Sequence, residues 1–304
     1  MRVLFIGTGE IGVPVLRSLR ESAEHELVGL VTQPDKPVGR AQRIEAPPIK
    51  VALGESKVPI LQPARIKKEE AVAEIRALAP DVIVVMAYGQ ILPRSVLEIP
   101  RLACLNLHAS LLPKHRGAAP IQAAIVAGDR ESGITVMYMD EGLDTGDVML
   151  QRRLEIAPDE TGGSLHDRLA DIAPAALSEA LAQLQAGTAP RIPQDSLAAT
   201  YSPKLGREDG RIDWSESATT IERKIRAFNP WPGAFTVLCD ADGRERKLKV
   251  HRASVTDSCS ADPANFVIPT KSGAVRLTEV QLEGKRRMSA AEFLRGYNAP
   301  VRIA

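Results

Sequence analysis

A chain of 304 residues, 44% of them hydrophobic and 25% charged, has the length of two domains and the composition of an ordinary water-soluble protein. No apolar run approaches the ~20 residues that a membrane helix needs, and residues 1–7 are too short an apolar stretch for a secretory signal. The net charge of +1 and the three scattered cysteines, Cys104, Cys239 and Cys259, exclude a strongly polyionic chain and a disulfide scaffold, and they fit a cytoplasmic setting where thiols stay reduced.

Residues 3–6 are a short β-rich run, followed by glycines and a helical stretch over 13–20. Residues 27–32 predict a second strand and 58–61 a third, which Pro59 confines to an edge. Val72, Ile75 and Leu78 recur at a three-residue interval, so 69–78 predicts a helix. Residues 82–87 form an unbroken apolar run, the pattern of a strand buried on both faces of a parallel sheet. Residues 104–108 follow as a fifth strand, 121–127 as a helix, 134–139 and 148–156 as a strand pair, and 164–185 as a long amphipathic helix closed by Gly187. Alternating strands and helices predict an α/β domain with a mostly parallel sheet over residues 1–188.

Residues 189–208 carry Pro190, Pro193 and Pro203 without a period and read as a linker. Residues 209–304 predict one helix, 218–228, stopped by Pro230 and Pro232. Short strands follow at 234–239, 247–251, 266–268 and 274–280, the pattern of a small barrel or sandwich. Residues 201–304 hold 18 Lys and Arg against 13 Asp and Glu, a surplus of +5, and the preceding 200 residues carry −4. That asymmetry suits a polyanionic partner for the C-terminal third as well as it suits a solvated surface.

Gly7-Thr8-Gly9-Glu10-Ile11-Gly12 matches the G-x-G-x-x-G pattern of dinucleotide sites, between a strand and a helix. The acidic residue that should end the second strand is absent, because the sequence there is Val31-Thr32-Gln33. Glu10 also puts a negative charge where phosphates would sit. A tight strand-to-helix turn, with no NAD(P), is therefore the expectation.

The densest polar segment is 105–122, and a second lies at 139–147. Asn106 and His108 are two apart on the fifth strand and point the same way, at the strand end where ligands of such sheets bind. With Asp144 they supply the parts that carbonyl chemistry needs. The Asn amide can donate to an oxygen becoming negative, the His can exchange a proton near neutral pH, and the Asp can orient the His or help deprotonate a nucleophile. No serine or cysteine is clearly paired with a base, so direct transfer is expected rather than a covalent enzyme intermediate. His108 and His115 lack zinc-site spacing, so no metal is expected.

Residues 106–113 (Asn-Leu-His-Ala-Ser-Leu-Leu-Pro) and 116–122, continued by 128–146 with Asp140-Glu141-Gly142-Leu143-Asp144-Thr145-Gly146, strongly resemble the signature of the folate-dependent formyltransferase superfamily. Residues 31–40 and the segments 211–214 and 226–232 resemble, within it, the mobile loop and the C-terminal entry of the methionyl-tRNA formyltransferases. The resemblance implies a Rossmann-like domain joined to an OB-like β-barrel, acting as a monomer. It implies 10-formyltetrahydrofolate as donor and the α-amino group of initiator methionyl-tRNA as acceptor, giving the formylmethionyl-tRNA that starts translation. It implies Asn106, His108 and Asp144 as the catalytic set, and Tyr88, Gly89, Ile91, Ser110, Leu111, Leu112 and Pro113 as folate-site residues. Basic residues expected at the tRNA are Lys36, Arg40 and Arg43 in the loop, and Arg223, Lys247, Lys249, Lys285, Arg286 and Arg287 in the C-terminal third. Other readings are a sugar or nucleotide formyltransferase, a formyltetrahydrofolate hydrolase, an NAD(P)-dependent dehydrogenase resting on the glycines, and a non-catalytic RNA-binding protein.

Overall fold

The computed structural model describes residues 1–39, 41–239, 245–256, 262, 265–296 and 302–303. They pack as two compact units interleaved along the chain. The first holds Met1–Gly117, Ser132–Leu154 and His166–Tyr201; the second holds Ala118–Glu131, Glu155–Leu165 and Ser202–Ala304.

The first unit is built on β1 (Arg2–Gly7) and β2 (Glu26–Val31), with α1 (Val13–Glu21) between them. The proline-rich stretch that follows has structure of its own: β3 (Lys36–Val38) pairs with β4 (Arg43–Glu45) as a hairpin. Helix α2 (Pro48–Leu53) then starts on a proline, whose missing N–H no helix partner would have used. Next come β5 (Ile60–Leu61), α3 (Glu69–Ala77), β6 (Val82–Met86), α4 (Arg94–Leu97), β7 (Ala103–His108) and β8 (Arg116–Gly117). Helix α5 (Pro120–Ala127) belongs to the second unit, and the first resumes with β9 (Glu131–Tyr138), β10 (Val148–Glu155) and most of α6 (Gly162–Ala186).

Seven strands form one sheet in the order β10-β9-β7-β6-β1-β2-β5. The pairs β1–β2, β1–β6, β6–β7 and β2–β5 are parallel, and β7–β9 is antiparallel. The expected mostly parallel sheet is therefore present, with β5 at the edge. All five residues of β6 are buried, because helices cover both faces of a parallel sheet. Leu4 and Ile6 of β1 join Ile83 and Val85 of β6 and Ile75 of α3 in one buried cluster. Gly187 closes α6 at φ +68°, and the Thr188 N–H returns to the Gln183 carbonyl at 3.0 Å.

Two glycines of the dinucleotide-like pattern, Gly7 and Gly12, have a packing cause. A Cβ on Gly7 would lie 2.7 Å from the ring of the fully buried Phe5 and 2.8 Å from the Met86 carbonyl. A Cβ on Gly12 would lie 3.1 Å from the same ring. At the position expected for a ribose-binding acid, Gln33 instead donates through Nε2 to the Tyr88 carbonyl at 2.8 Å. Gly7→Ala is therefore expected to destabilise the protein by about 2 kcal/mol through overpacking. Urea unfolding of the nucleotide-free protein measures it, and an unchanged midpoint would refute the packing role.

The chain passes from the first unit to the second within β11 (Tyr201–Ser202), and the second adds α7 (Ala218–Ala227), capped by the Ser217 hydroxyl, which accepts the Thr220 N–H at 3.1 Å. Then come β12 (Phe235–Cys239), β13 (Glu245–Thr256), β14 (Val267–Pro269), β15 (Ala274–Leu282), β16 (Met288–Ser289), α8 (Ala290–Gly296) and β17 (Arg302–Ile303). The strands form an antiparallel sheet in the order β14-β15-β13-β12-β17, with β16 on β15. Ile221 and Ile225 of α7 pack on Leu248, Val250, Val275, Leu277 and Val280 to make its core. No helix among the described residues is long and apolar enough to cross a membrane.

Candidate active site

Strand β7 delivers Asn106 and His108 to the carboxyl end of the parallel sheet. Asn106 is half-buried and registers against Val85 of β6, and His108 is 6% exposed. Asp144 comes from the turn between β9 and β10, with φ +53°. Gly146 of that turn is obligatory: a Cβ on it would lie 1.8 Å from the Tyr138 carbonyl oxygen. The three side chains meet. Asp144 Oδ2 accepts the Gly117 N–H at 2.8 Å and lies 3.7 Å from His108 Nδ1. Asn106 Nδ2 donates weakly to Asp144 Oδ1, at 3.4 Å.

The His108 ring has a defined tautomer. Its Nε2 is 2.9 Å from the His115 carbonyl oxygen, and a carbonyl only accepts, so the proton sits on Nε2. In the neutral ring Nδ1 is then a bare acceptor facing the Asp144 carboxylate.

The loop after β7 is held from β9 and β10. The buried Thr135 hydroxyl donates to the Ser110 carbonyl at 2.6 Å and accepts the Leu112 N–H at 3.1 Å. Gln151 Nε2 donates to the Leu112 carbonyl at 2.8 Å. The Ser110 hydroxyl is directed to the Lys114 carbonyl at 2.6 Å, and Leu112 is buried, so Leu111 and Pro113 are the half-exposed side chains of this loop. Tyr88, Gly89 and Ile91 follow the carboxyl end of β6, beside β7. The Tyr88 ring is 2% exposed, its phenol has no hydrogen-bond partner, and burial pushes that phenol up to about 12. Gly89 and Ile91 are exposed, Ile91 by 81%.

Cys104 enters the same strand, buried against Met139 at 3.7 Å between sulfurs, and burial pushes its thiol up to about 12. It stays a protonated thiol at neutral pH, which removes it as a nucleophile. Among the described residues, no three His, Cys, Asp or Glu side chains come together to hold a metal ion.

Sequence reading missed the support of this cluster. Gln194 and Thr200 lie in the stretch expected to be a linker. Gln194 Nε2 donates to the carbonyls of Asp144 at 2.9 Å and Gly146 at 2.7 Å, and its Oε1 accepts from the buried Arg116 at 3.1 and 2.8 Å. Thr200 Oγ1 accepts the His115 N–H at 2.8 Å. Arg116 is 78 residues from Gln194 and His115 is 85 from Thr200, and no local spacing announces either pair.

The basic residues divide by what already holds them. Lys36 Nζ donates to Gln33 Oε1 and Arg43 is exposed on β4; Arg40 lies outside the described residues. In the second unit Arg223 lies against Gly128 and points to the Ala127 carbonyl that ends α5, at 3.4 Å. Lys247 Nζ sits 3.2 Å above the Phe235 ring. Arg287 makes two bonds to Glu279, at 2.6 and 2.5 Å, and this pairing holds the Glu279 carboxyl below its ordinary range. Arg286 lies 3.4 Å from Glu292 at the surface, and Lys249 and Lys285 are exposed.

A parallel sheet that presents Asn, His and Asp at its carboxyl edge, joined to an antiparallel β unit, is the frame of a group-transfer enzyme. Residues 1–181 match the family described as formyl transferase, and residues 204–298 match the formyl transferase C-terminal domain. A curated methionyl-tRNA formyltransferase of Geobacter metallireducens is 45% identical over 303 residues, covering 97% of this chain and 96% of that protein. The chain belongs to the methionyl-tRNA formyltransferase family.

Solved structures share the fold. The methionyl-tRNA formyltransferase of Clostridium thermocellum aligns with a TM-score of 0.57 at 19% identity, over 85% of this chain and 95% of that one. HypX of Aquifex aeolicus in complex with tetrahydrofolic acid aligns with a TM-score of 0.64 at 19% identity. That alignment covers 98% of this chain, which spans about half of HypX, 47% of its length.

Proposed function

We propose that the chain transfers the formyl group of 10-formyltetrahydrofolate to the α-amino group of initiator methionyl-tRNA. The observation that carries the reading is the placement of the Asp144 carboxylate, held by the Gly117 N–H against both Asn106 and His108 at the end of β7. The near-full-length likeness to methionyl-tRNA formyltransferases supports the choice of acceptor. The cytoplasm, where translation starts, is the proposed location, and the protein acts there as a monomer.

The chemistry is aminolysis of a formamide. The neutral methionyl amine attacks the formyl carbon, and the carbonyl π electrons move onto oxygen. Asn106 Nδ2, bound only weakly to Asp144, is the amide donor available to that oxyanion. His108 Nδ1 is the acceptor for the amine proton, because Nε2 already carries the ring's proton. The imidazolium so formed lies beside the Asp144 carboxylate, which stabilises its charge. Its Nδ1 proton then passes to the folate nitrogen as the C–N bond breaks. Gly89, Ile91, Leu111 and Pro113 offer the exposed or half-exposed surface next to β7 for the folate, while Tyr88, Ser110 and Leu112 support it from below.

For the acceptor, residues 209–304 are proposed as the tRNA-binding domain, an OB-like fold following the catalytic residues 1–188 and the segment 189–208. Lys249, Lys285 and Arg286, with Lys36, Arg40 and Arg43 of the hairpin region, are the proposed phosphate contacts. Arg223, Lys247 and Arg287 contribute less, since a carbonyl, a ring and a carboxylate already engage them, and so do Lys36 and Arg286, which Gln33 and Glu292 engage.

The test is incubation with 10-formyltetrahydrofolate and initiator methionyl-tRNA, beside elongator tRNA and an amino-sugar nucleotide. Formylation of the initiator alone is expected. Formylation of the sugar amine without the tRNA would move the chain to another acceptor.

A further inference from the structure

The segment between α6 and the second unit does more than connect. It enters the first sheet at Ile192, which exchanges backbone hydrogen bonds with Val148 of β10 at 2.8 and 3.0 Å. The Arg191 guanidinium lies 3.6 Å from the centre of the Tyr138 ring. From there the segment reaches the two loops that carry the Asn106–His108–Asp144 cluster.

Two residues at this site have left-handed backbone conformations that side chains other than glycine rarely adopt: Asp144 at φ +53° and His115 at φ +58°. Such conformations persist where surrounding bonds over-determine them. Gln194 holds the first through the carbonyls of Asp144 and Gly146, while its other amide atom receives Arg116, the residue just before the Gly117 N–H that binds Asp144. Thr200 holds the second. Its hydroxyl accepts the His115 N–H, its own N–H goes to the Pro113 carbonyl at 3.3 Å, and its carbonyl accepts the Arg116 N–H at 2.8 Å. The His115 carbonyl, aimed by this arrangement, is the group that keeps the proton of His108 on Nε2.

We propose that residues 192–200 form a positioning strap for the reaction, with Gln194 setting the pose of Asp144 and Thr200 setting the tautomer of His108. Neither side chain touches the reacting atoms; both act through the backbone of a residue that does or that orients one. The proposal rests on the reading of Asn106, His108 and Asp144 given above.

The test uses Gln194→Glu, Thr200→Val and Thr200→Ser in the full chain, with 10-formyltetrahydrofolate and initiator methionyl-tRNA. The carboxylate introduced by Gln194→Glu keeps one oxygen for Arg116 but sets the other against the Asp144 and Gly146 carbonyls. This variant is expected to lower kcat by about 10²-fold, the scale of a ~1 Å misplacement, with the KM for the folate unchanged. Thr200→Val removes the hydroxyl, and with it the bond from the His115 N–H and the 3.4 Å contact to His115 Nδ1, and should lower kcat in the same way, while Thr200→Ser restores it. The ¹⁵N signals of the His108 ring report the tautomer directly. Protonation on Nε2 alone is expected in the parent and in Thr200→Ser, and a mixture of both tautomers in Thr200→Val. If Gln194→Glu does not fold, the two substitutions of Thr200 carry the test alone. Normal kcat in folded Gln194→Glu and Thr200→Val, or a Thr200→Val loss with the tautomer unaltered, overturns the strap. Asp144→Asn measured alongside separates the failures: normal turnover there would remove the cluster itself, whereas its inactivity beside normal strap variants removes only the strap.

Discussion

Asp144→Asn is expected to lower kcat for formyl transfer by about 10³- to 10⁴-fold while the protein stays folded, the scale seen when a carboxylate that orients a catalytic histidine is neutralised. The geometry explains why the fold survives. The one strong bond that Asp144 accepts is from the Gly117 N–H, and an asparagine oxygen can still accept it. The bond from Asn106, at 3.4 Å, is too long to contribute much stability. What disappears is the negative charge 3.7 Å from His108 Nδ1, and with it the stabilisation of the imidazolium proposed to form during the reaction. Asn106→Ala removes a different element, the proposed donor to the oxyanion, and a loss of about 10²- to 10³-fold is expected. Truncation leaves no strong hydrogen bond broken, so its melting temperature should stay within a few degrees of the parent. Single-turnover formylation of initiator methionyl-tRNA, with thermal unfolding of each variant, measures both effects. Near-normal turnover in either folded variant would show that the cluster has been assigned wrongly.

The parts of this site legible in the sequence are those whose signal is local. Asn106 and His108 stand two apart in an apolar strand, and only a sheet end gives two polar side chains in one direction a purpose. The unbroken apolar run of β6 announced a strand covered on both faces, and the structure buries every residue in it. Elements were missed where prolines or charges break the period. The β3–β4 hairpin and α2 occupy a stretch rich in proline, and only the pairing of Lys36–Val38 with Arg43–Glu45 reveals its regularity. Strand β13 is 12 residues long, far beyond the expected 247–251, because two register shifts near Arg252 disturb the alternation that a reader relies on. The glycine pattern at the N-terminus has a packing cause that the sequence alone does not show, for a related reason. A sequence shows that glycine is present, and only packing shows that Phe5 leaves no room for a Cβ at Gly7 or Gly12. Gln194 and Thr200 could not be found locally at all. Their partners are backbone groups in other loops, and a backbone carbonyl has no sequence signature.

The C-terminal sheet makes the other large prediction. Binding of methionyl-tRNA is expected to weaken by about 10²- to 10³-fold between 50 and 200 mM salt, the release expected for roughly five phosphate contacts. The cations that carry this dependence are those not already engaged within the protein. Lys249 on β13 and Lys285 beyond β15 extend from the surface, as Arg43 does from the hairpin in the other unit, whereas Arg286 lies 3.4 Å from Glu292. Arg287 is different, because Glu279 already receives both of its hydrogen bonds. Lys249→Ala and Lys285→Ala should each reduce the slope of log affinity against log salt by about one. Arg287→Ala should leave the slope alone and cost at most about 1 kcal/mol of stability, since the pair is partly solvent-screened. The contrast matters more than the total. Any basic surface produces some salt dependence, but only one in which paired and free cations behave differently supports the contacts proposed here. Equal slopes for the Lys249 and Arg287 variants would mean that the Glu279 pair opens on binding. A flat response in the parent would remove the basic residues from acceptor recognition altogether, and leave the chemistry at Asn106, His108 and Asp144 to be judged by turnover alone.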